Sequence, residues 1–415
     1  MDIKINELKK VITSPVIIFL FVIFNLFNLF IICEHLDIRD DFKVTNDIIK
    51  KFGYKIDDNM IKNFKPYYND EIKKINEITY KITGKKYKNA LELASDLKEE
   101  NHLYSEKDIK FFNRVLVLEN YNEEIKSIDD YYKKKDIMNI ATIEIKKYRL
   151  NGSAAETVKR EYRELNKRFK EIVKNKEYKT ISPIRKCKFL FENLFKKFLF
   201  EIMILSVIIT GYLINYEFDS GTSILMYSTK RGRKLALDKL WVSIVITSIF
   251  ATIIMAIGLL TYFTIFDYST VWNVPISSYF NEDLGFSALC WWNVSFVKYM
   301  LLTILTIYVC NLLFNAITFF ISVYIKNSYI VFATFFIVAA VGIIGIPGIP
   351  TDNNFIFISS FNLFTLAINC GIWFMEAGAF FTFKYYEVIT LGTCSVIMII
   401  LNILTFRRLN KVDIR

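Results

Sequence analysis

Six stretches of this chain are apolar for long enough to cross a bilayer, and they limit the fold more than anything else in it. They run from about Pro15 to Cys33, Phe198 to Tyr216, Leu240 to Phe266, Phe296 to Ile325, Tyr329 to Gly345 and Val388 to Phe406. A spanning helix needs roughly 20 apolar residues. In lipid only a helix or a closed barrel satisfies its own backbone polar groups. The expected fold class is therefore all-α, a polytopic six-span membrane protein with a cytoplasmic N-terminal surface helix and a large helical extracellular domain. Composition agrees, with 53% hydrophobic residues, 38 Phe and a mean hydropathy of +0.29, all high for a soluble chain.

The charges are segregated. Most lie between Glu34 and Lys197, a region without any apolar run that could span. Two regimes imply two environments, a water-exposed insert (34–197) and a lipid-embedded body (198–406). The net charge of +11 raises the question of nucleic acid. In the insert, however, basic residues alternate with acidic ones, as in Arg160-Glu161-Tyr162-Arg163-Glu164. That pattern makes a solvated helix face and not a phosphate-binding patch, so no nucleic-acid partner is expected. Apolar residues at helical spacing (Ile61, Phe64, Ile72, Ile75, Ile78, then Val115, Leu118, Ile125, Ile128) predict an all-α insert. Breaks are expected at Gly53, Pro66, Gly84, Gly152 and Pro183. Tyr148 to Tyr178, highly charged with few apolar anchors, is expected to project as an exposed helical arm.

Orientation follows from basic residues beside the spans. Residues 1–14 read as an amphipathic cytoplasmic surface helix, redirected into the bilayer at Ser14-Pro15. The first run ends in Cys33-Glu34-His35 without a small-x-small cleavage site, so it reads as a retained span (15–33) and not a signal peptide. The insert then lies outside. Long domains cross regardless of their charge, so its lysines do not oppose that placement. Residues 217–239, Lys326 and the basic tail 407–415 fall inside, and Trp272, Trp291 and Trp292 suit an outer aromatic belt. Residues 355–383, apolar but interrupted by Asn362, Asn369, Gly371, Glu376 and Gly378, read as re-entrant or interfacial helices on the outer side. A full crossing there would put the basic tail outside. Both termini are therefore expected in the cytoplasm, in a bacterial-type plasma membrane.

The segment between the second and third spans has an acidic start, a helix-compatible apolar set and a basic end. It reads Glu217, Gly221-Thr222, Leu225, Ser228-Thr229-Lys230-Arg231-Gly232-Arg233 and Lys239. This tract, with the N-terminal surface helix, the extracellular insert and the six-span body, resembles the permease subunits of type-2 ABC exporters. The resemblance implies that residues 217–239 form the helix that docks on a separate ATPase. It also implies a second permease subunit, as homo- or heterodimer, facing this one across the substrate path. Glu217, Gly221, Thr222, Leu225, Ser228, Thr229, Arg231 and Gly232 are then the coupling residues, and reversing Glu217 is expected to leave the membrane body intact. The implied cargo is hydrophobic or amphipathic, such as a peptide antibiotic, a lipid or a drug. The large insert departs from compact family members and leaves the cargo open. Two other readings stand beside this one. One is a mechanotransmission subunit that works its outer domain without moving anything through the bilayer. The other is a membrane sensor without an ATPase.

The chain itself offers no catalytic constellation. It lacks a Gly-x-x-x-x-Gly-Lys-Ser/Thr loop, so ATP and Mg are expected on the partner subunit and no cofactor on this one. His35 and His102 lie far apart without a neighbouring ligand at metal spacing, and no Cys-x-x-Cys occurs. Cys33 and Cys187 read as free thiols near the outer boundary, with a bridge between them the alternative. The remaining candidates are intramembrane polar residues, as pathway groups or as interhelix contacts: Glu201, Asn25, Asn28, Asn311, Asn315 and, in the broken outer segment, Glu376. Glu201 is expected about a turn below the outer surface, snorkelling toward Lys197.

Overall fold

The computed structural model describes residues 2–181, 189–228, 232–278, 289–345 and 348–409. Among them the chain is helical, with isolated bridges such as Lys55 to Thr180 and no strand. An amphipathic helix α1 (Asp2–Ile12) meets α2 (Pro15–Glu34) at Ser14, with Pro15 at the first helical position, where its missing N–H costs nothing.

The insert follows as α3 (Ile38–Phe52), α4 (Asp58–Thr83), α5 (Ala90–Glu100), α6 (Glu106–Lys134), α7 (Ile137–Lys147) and α8 (Gly152–Lys174). Local chemistry sets these boundaries. The Asp57 carboxylate accepts from the Met60 amide at 2.8 Å, and Ser105 with Asp108 forms a capping box at the start of α6. Pro66 does not break α4. It sits exposed on the solvent face, and the carbonyl its ring leaves without a donor belongs to the exposed Lys62, where water takes over the bond. The insert's core is aromatic and aliphatic, with Phe64, Ile75, Phe112, Val115, Tyr132 and Tyr162 buried.

The projecting arm expected from Tyr148 to Tyr178 is not formed. Helix α8 buries Ala154, Val158, Tyr162, Leu165, Phe169 and Ile172, a stripe at helical spacing. Its N-terminus docks on the loop before residue 355: the Ser153 amide donates to the Asp352 carbonyl at 2.8 Å, and the Asn151 amide to the Thr351 carbonyl at 3.0 Å. Farther along, Tyr162 donates to Glu376 at 3.0 Å. Arg168 makes a bidentate pair with Glu177, at 3.0 and 2.6 Å, while its Nε donates to the Cys290 carbonyl at 3.4 Å. Both charged side chains are buried, and the geometry and extra bonds meet the conditions under which burying an ion pair is tolerable.

After residue 188, a π-helical turn (Phe189–Phe195) runs directly into α9 (Lys196–Asp219). Then come α10 (Ser223–Ser228), α11 (Leu235–Ile265), α12 (Phe296–Tyr324), α13 (Ser328–Ile344), two short helices α14 (Phe355–Ile358) and α15 (Leu363–Ile368), and α16 (Tyr386–Leu409). Among the described residues, five helical segments are long and apolar enough to cross a membrane: α2, Phe189–Asp219, α11, α12 and α16. Helix α13 is apolar but has 17 residues, about 26 Å of helix. The segment 355–383 holds only short helical pieces separated by turns. Its Gly371 lies where a Cβ would come within 2.7 Å of the Glu192 backbone, so glycine lets it close against the π-helical turn.

Helix α9 is the axis of the body. It packs against α11, α12, α13 and α2, and 78% of its apolar window is buried, against 22% for α2 and 17% for α16. Those two outer helices expose Phe19, Phe30, Val388 and Ile399, apolar side chains that only lipid or another membrane subunit would cover favourably. The aromatic belt expected around residue 291 is partly an interior feature, because Trp291 is buried and the half-buried Trp272 packs on Phe263.

Candidate coupling site

The tract between the second and third spans divides into an inward part and an outward part. Helix α9 continues past Tyr216, so Glu217 belongs to its last turn and is 7% exposed. Its carboxylate accepts from Lys239 on α11 and, at 2.9 Å, from Lys10 on α1. Lys10 also donates to Glu7 at 2.7 Å and lies 4.2 Å from the centre of the Tyr216 ring, while Lys239 reaches the Leu213 carbonyl at 2.5 Å. Burial opposes charge on Lys10, but the bonds to Glu7 and Glu217 prevail and hold its ammonium above the ordinary lysine value. Lys4 and Asp238, 3.9 Å apart, add a second, looser link between α1 and α11. Three helices are thus tied by one alternating set of charges: Glu7, Lys10, Glu217, Lys239.

This corrects the expectation for Glu217. It is not a surface residue opening an exposed helix, because its bonds are spent inside the protein. Reversing its charge would set three cations together under the membrane face and disturb the body itself.

The outward part begins at Gly221. The Gly221 amide donates to the Phe218 carbonyl at 3.2 Å and the Thr222 amide to the Glu217 carbonyl at 2.8 Å, the paired bonds of a Schellman motif. Gly221 has φ +69° with nothing within 4 Å of where a Cβ would be, so glycine is there for its backbone conformation and not for close packing. The exposed Thr222 shares a 2.9 Å hydroxyl contact with Ser220. Helix α10 then presents Ile224 at 77% and Leu225 at 69% exposure. Ser228 is its last residue. Gly232 is buried in a short 3-10 turn leading to α11. Thr229 and Arg231 lie outside the described residues.

Most of the polar candidates on the apolar helices are brought together as interhelix pairs. The Asn311 carbonyl accepts from Ser206 of α9 at 2.5 Å while its amide donates to Ser248 of α11 at 3.3 Å. One turn on, Asn315 accepts from Thr210 at 2.7 Å and donates to Thr247 at 3.0 Å. Each asparagine thus joins three helices, as polar groups in apolar interiors must. Asn28 donates to Glu201 at 2.7 Å and binds α2 to α9, whereas Asn25 donates to its own helix at the Phe21 carbonyl, 2.7 Å away. Glu201 is 5% exposed and sits about three turns beyond the start of its helical segment, with Asn28 rather than Lys197 as its hydrogen-bond partner. Glu376 accepts from Tyr162 and from the Gly378 amide, both at 3.0 Å, and serves the contact with α8.

Lys10 and Glu7 were missed from sequence. A charged residue in a terminal amphipathic helix reads as solvated, and only the return of α9 and α11 to the same spot gives these two partners. Cys33 is a free exposed thiol, and Cys187 lies outside the described residues. Among the described residues no group of His, Cys, Asp or Glu is arranged to hold a metal ion. Comparison with protein-family models, with curated proteins and with solved structures returns no match for this chain.

Proposed function

We propose that this chain is the membrane-embedded subunit of an ATP-driven exporter of the type-2 ABC kind. In this reading it crosses the membrane six times, with α13 as the fifth crossing and both termini cytoplasmic. Residues 34–197 stand outside, and a second permease subunit completes the pathway. The observation that carries the proposal is α10, a short helix held between two long apolar helices with Ile224 and Leu225 turned to solvent. Two large apolar side chains at the end of a membrane bundle, followed by a basic tract, form a surface suited to a soluble partner. The Glu7–Lys10–Glu217–Lys239 set supports the reading mechanically, because a push on α10 would reach α1, α9 and α11 together. A separate phosphate-loop ATPase would bind and hydrolyse ATP, with its Mg, and this chain would take up the motion. The cargo expected from the sequence is hydrophobic or amphipathic.

A second reading, motion passed to the outer domain without transport, draws support from the bonds that join α8 to the outer loops at Asp352, Glu376 and Cys290. A domain fastened in this way follows the spans beneath it. Reconstitution of the chain with a candidate phosphate-loop ATPase separates the two. Export predicts accumulation of a fluorescent amphipathic cargo inside inverted vesicles on addition of ATP. ATP turnover that changes the reactivity of the outer domain without moving cargo selects the second reading, and no change in ATP turnover on assembly removes both.

A further inference from the structure

A cleft of about 920 Å³ lies away from the coupling site, in the insert, between α3 and α6. That volume falls in the range of sites that hold drug-sized molecules or short peptides. Its lining is acidic: Asp37, Asp40, Asp41 and Asp47 on or beside α3, and Glu123 and Glu124 on α6. Lys43, Lys110 and Arg114 are the basic residues of the lining, so six carboxylates face three cations in a chain whose net charge is +11. Arg114 is committed to the Tyr67 hydroxyl at 2.7 Å and to Glu71 at 3.5 Å. The floor is apolar, with Phe42, Val44, Ile128 and Tyr132 buried and Thr45 bonded to the Tyr121 hydroxyl at 2.7 Å across the two helices.

The position of the cleft matters as much as its lining. Asp37 is three residues beyond the last residue of α2, and Asn46 donates to the Asp267 carbonyl at 2.8 Å in the loop after α11. One end of the cleft therefore opens beside the ends of two spanning helices, where amphipathic molecules collect on a bilayer. We infer that this cleft binds a basic amphipathic peptide segment, with its cationic side chains against the acidic rims and its apolar side chains on the Phe42–Tyr132 floor. Two of the ion pairs at the rim, Asp40 with Lys43 and Glu123 with Lys126, are solvent-exposed and weak, so a ligand cation can displace their lysines. The inference names a cargo or signal class for the exporter reading. Binding itself stands apart from that reading, and only the fate of the bound peptide rests on it.

The test uses the full chain in nanodiscs of neutral lipid. The probe is a short fluorescein-labelled peptide of Leu and Lys at helical spacing. A Leu–Glu analogue and a Ser–Lys analogue of the same length serve as comparators. The expected result is saturable binding of the Leu–Lys peptide above bare nanodiscs, at least about tenfold tighter than either analogue. The exposed pair Asp40→Lys with Glu123→Lys is expected to weaken it about tenfold or more. Asp130→Lys, a charge reversal of the same kind at one exposed position of α6 outside the cleft, leaves it unaltered. Equal affinity for the acidic analogue, or equal loss in the Asp130→Lys chain, overturns the assignment. Binding with this selectivity but without any effect on ATP turnover of the assembled complex leaves the cleft assigned and removes the exporter reading instead.

Discussion

Replacing Glu217 by Gln should destabilise the membrane body, and the structure sets the scale. Lys239 is 2% exposed in its side chain and has one other acceptor, the Leu213 carbonyl. Removing the carboxylate leaves a buried ammonium without a counter-charge, which costs about 3–5 kcal/mol in comparable buried pairs. The Lys10 contact adds little, because Lys10 keeps Glu7 and is 23% exposed. Lys239→Met alone strands Glu217 less severely, since Lys10 still reaches it at 2.9 Å. The double replacement Glu217→Gln with Lys239→Met removes both charges of the tight pair and should recover most of the loss, because an apolar substitute for a buried pair is often neutral. The assay is a double-mutant cycle on unfolding in detergent, followed by Trp fluorescence. A coupling energy of at least about 1 kcal/mol between the two sites is expected. Additive effects, or a Glu217→Gln chain as stable as the parent, would refute the buried-pair argument and return Glu217 to the surface.

Arg168→Lys should not rescue the contact with Glu177. A point ammonium cannot reproduce the bidentate fork or the bond to Cys290, and hydrogen exchange should show α8 loosened from the outer loops. Gly221→Val should cost about 1–2 kcal/mol through its positive φ, without any packing change, and Gly221→Asn should cost less. Asp129 accepts from Tyr178 at 2.8 Å and Lys179 at 2.7 Å; burial alone would raise its carboxyl, but these bonds outweigh burial and hold it below the ordinary value. Its contribution is therefore complete above the unfolded carboxyl value of about 4 and is lost as the pH falls below that. Thermal melting from pH 6 downward should fall less steeply in the Asp129→Asn chain than in the parent.

The membrane body was legible because long apolar runs have few alternatives, and the observed helices begin and end within a few residues of those runs. The insert was legible as helical but not as packed. In α8 the stripe from Ala154 to Ile172 is outnumbered by Lys, Arg and Glu, so charge density concealed the period, and the partners at Asp352, Glu376 and Cys290 are far away in sequence. Pro66 misled for a different reason: a proline breaks a helix when the freed carbonyl is buried, and burial is not written in the local sequence. The tract 217–239 was set apart in the sequence as one unit, but its division was hidden. Whether Glu217 faces in or out depends on Lys239 and Lys10 arriving beside it, a long-range fact, while the exposure of Ile224 and Leu225 follows once α9 is stopped by the Gly221 turn.

The central claim, that α10 meets a separate ATPase, is tested most directly by placing a photo-crosslinking amino acid at Leu225. The account predicts a covalent adduct with a phosphate-loop ATPase in membranes that contain both proteins, identified by mass spectrometry. It predicts none from the same group at Ile358, an exposed apolar position at the other end of the bundle. Membranes in which the ATPase is present and Leu225 gives no adduct, or in which Ile358 gives as much, would contradict it.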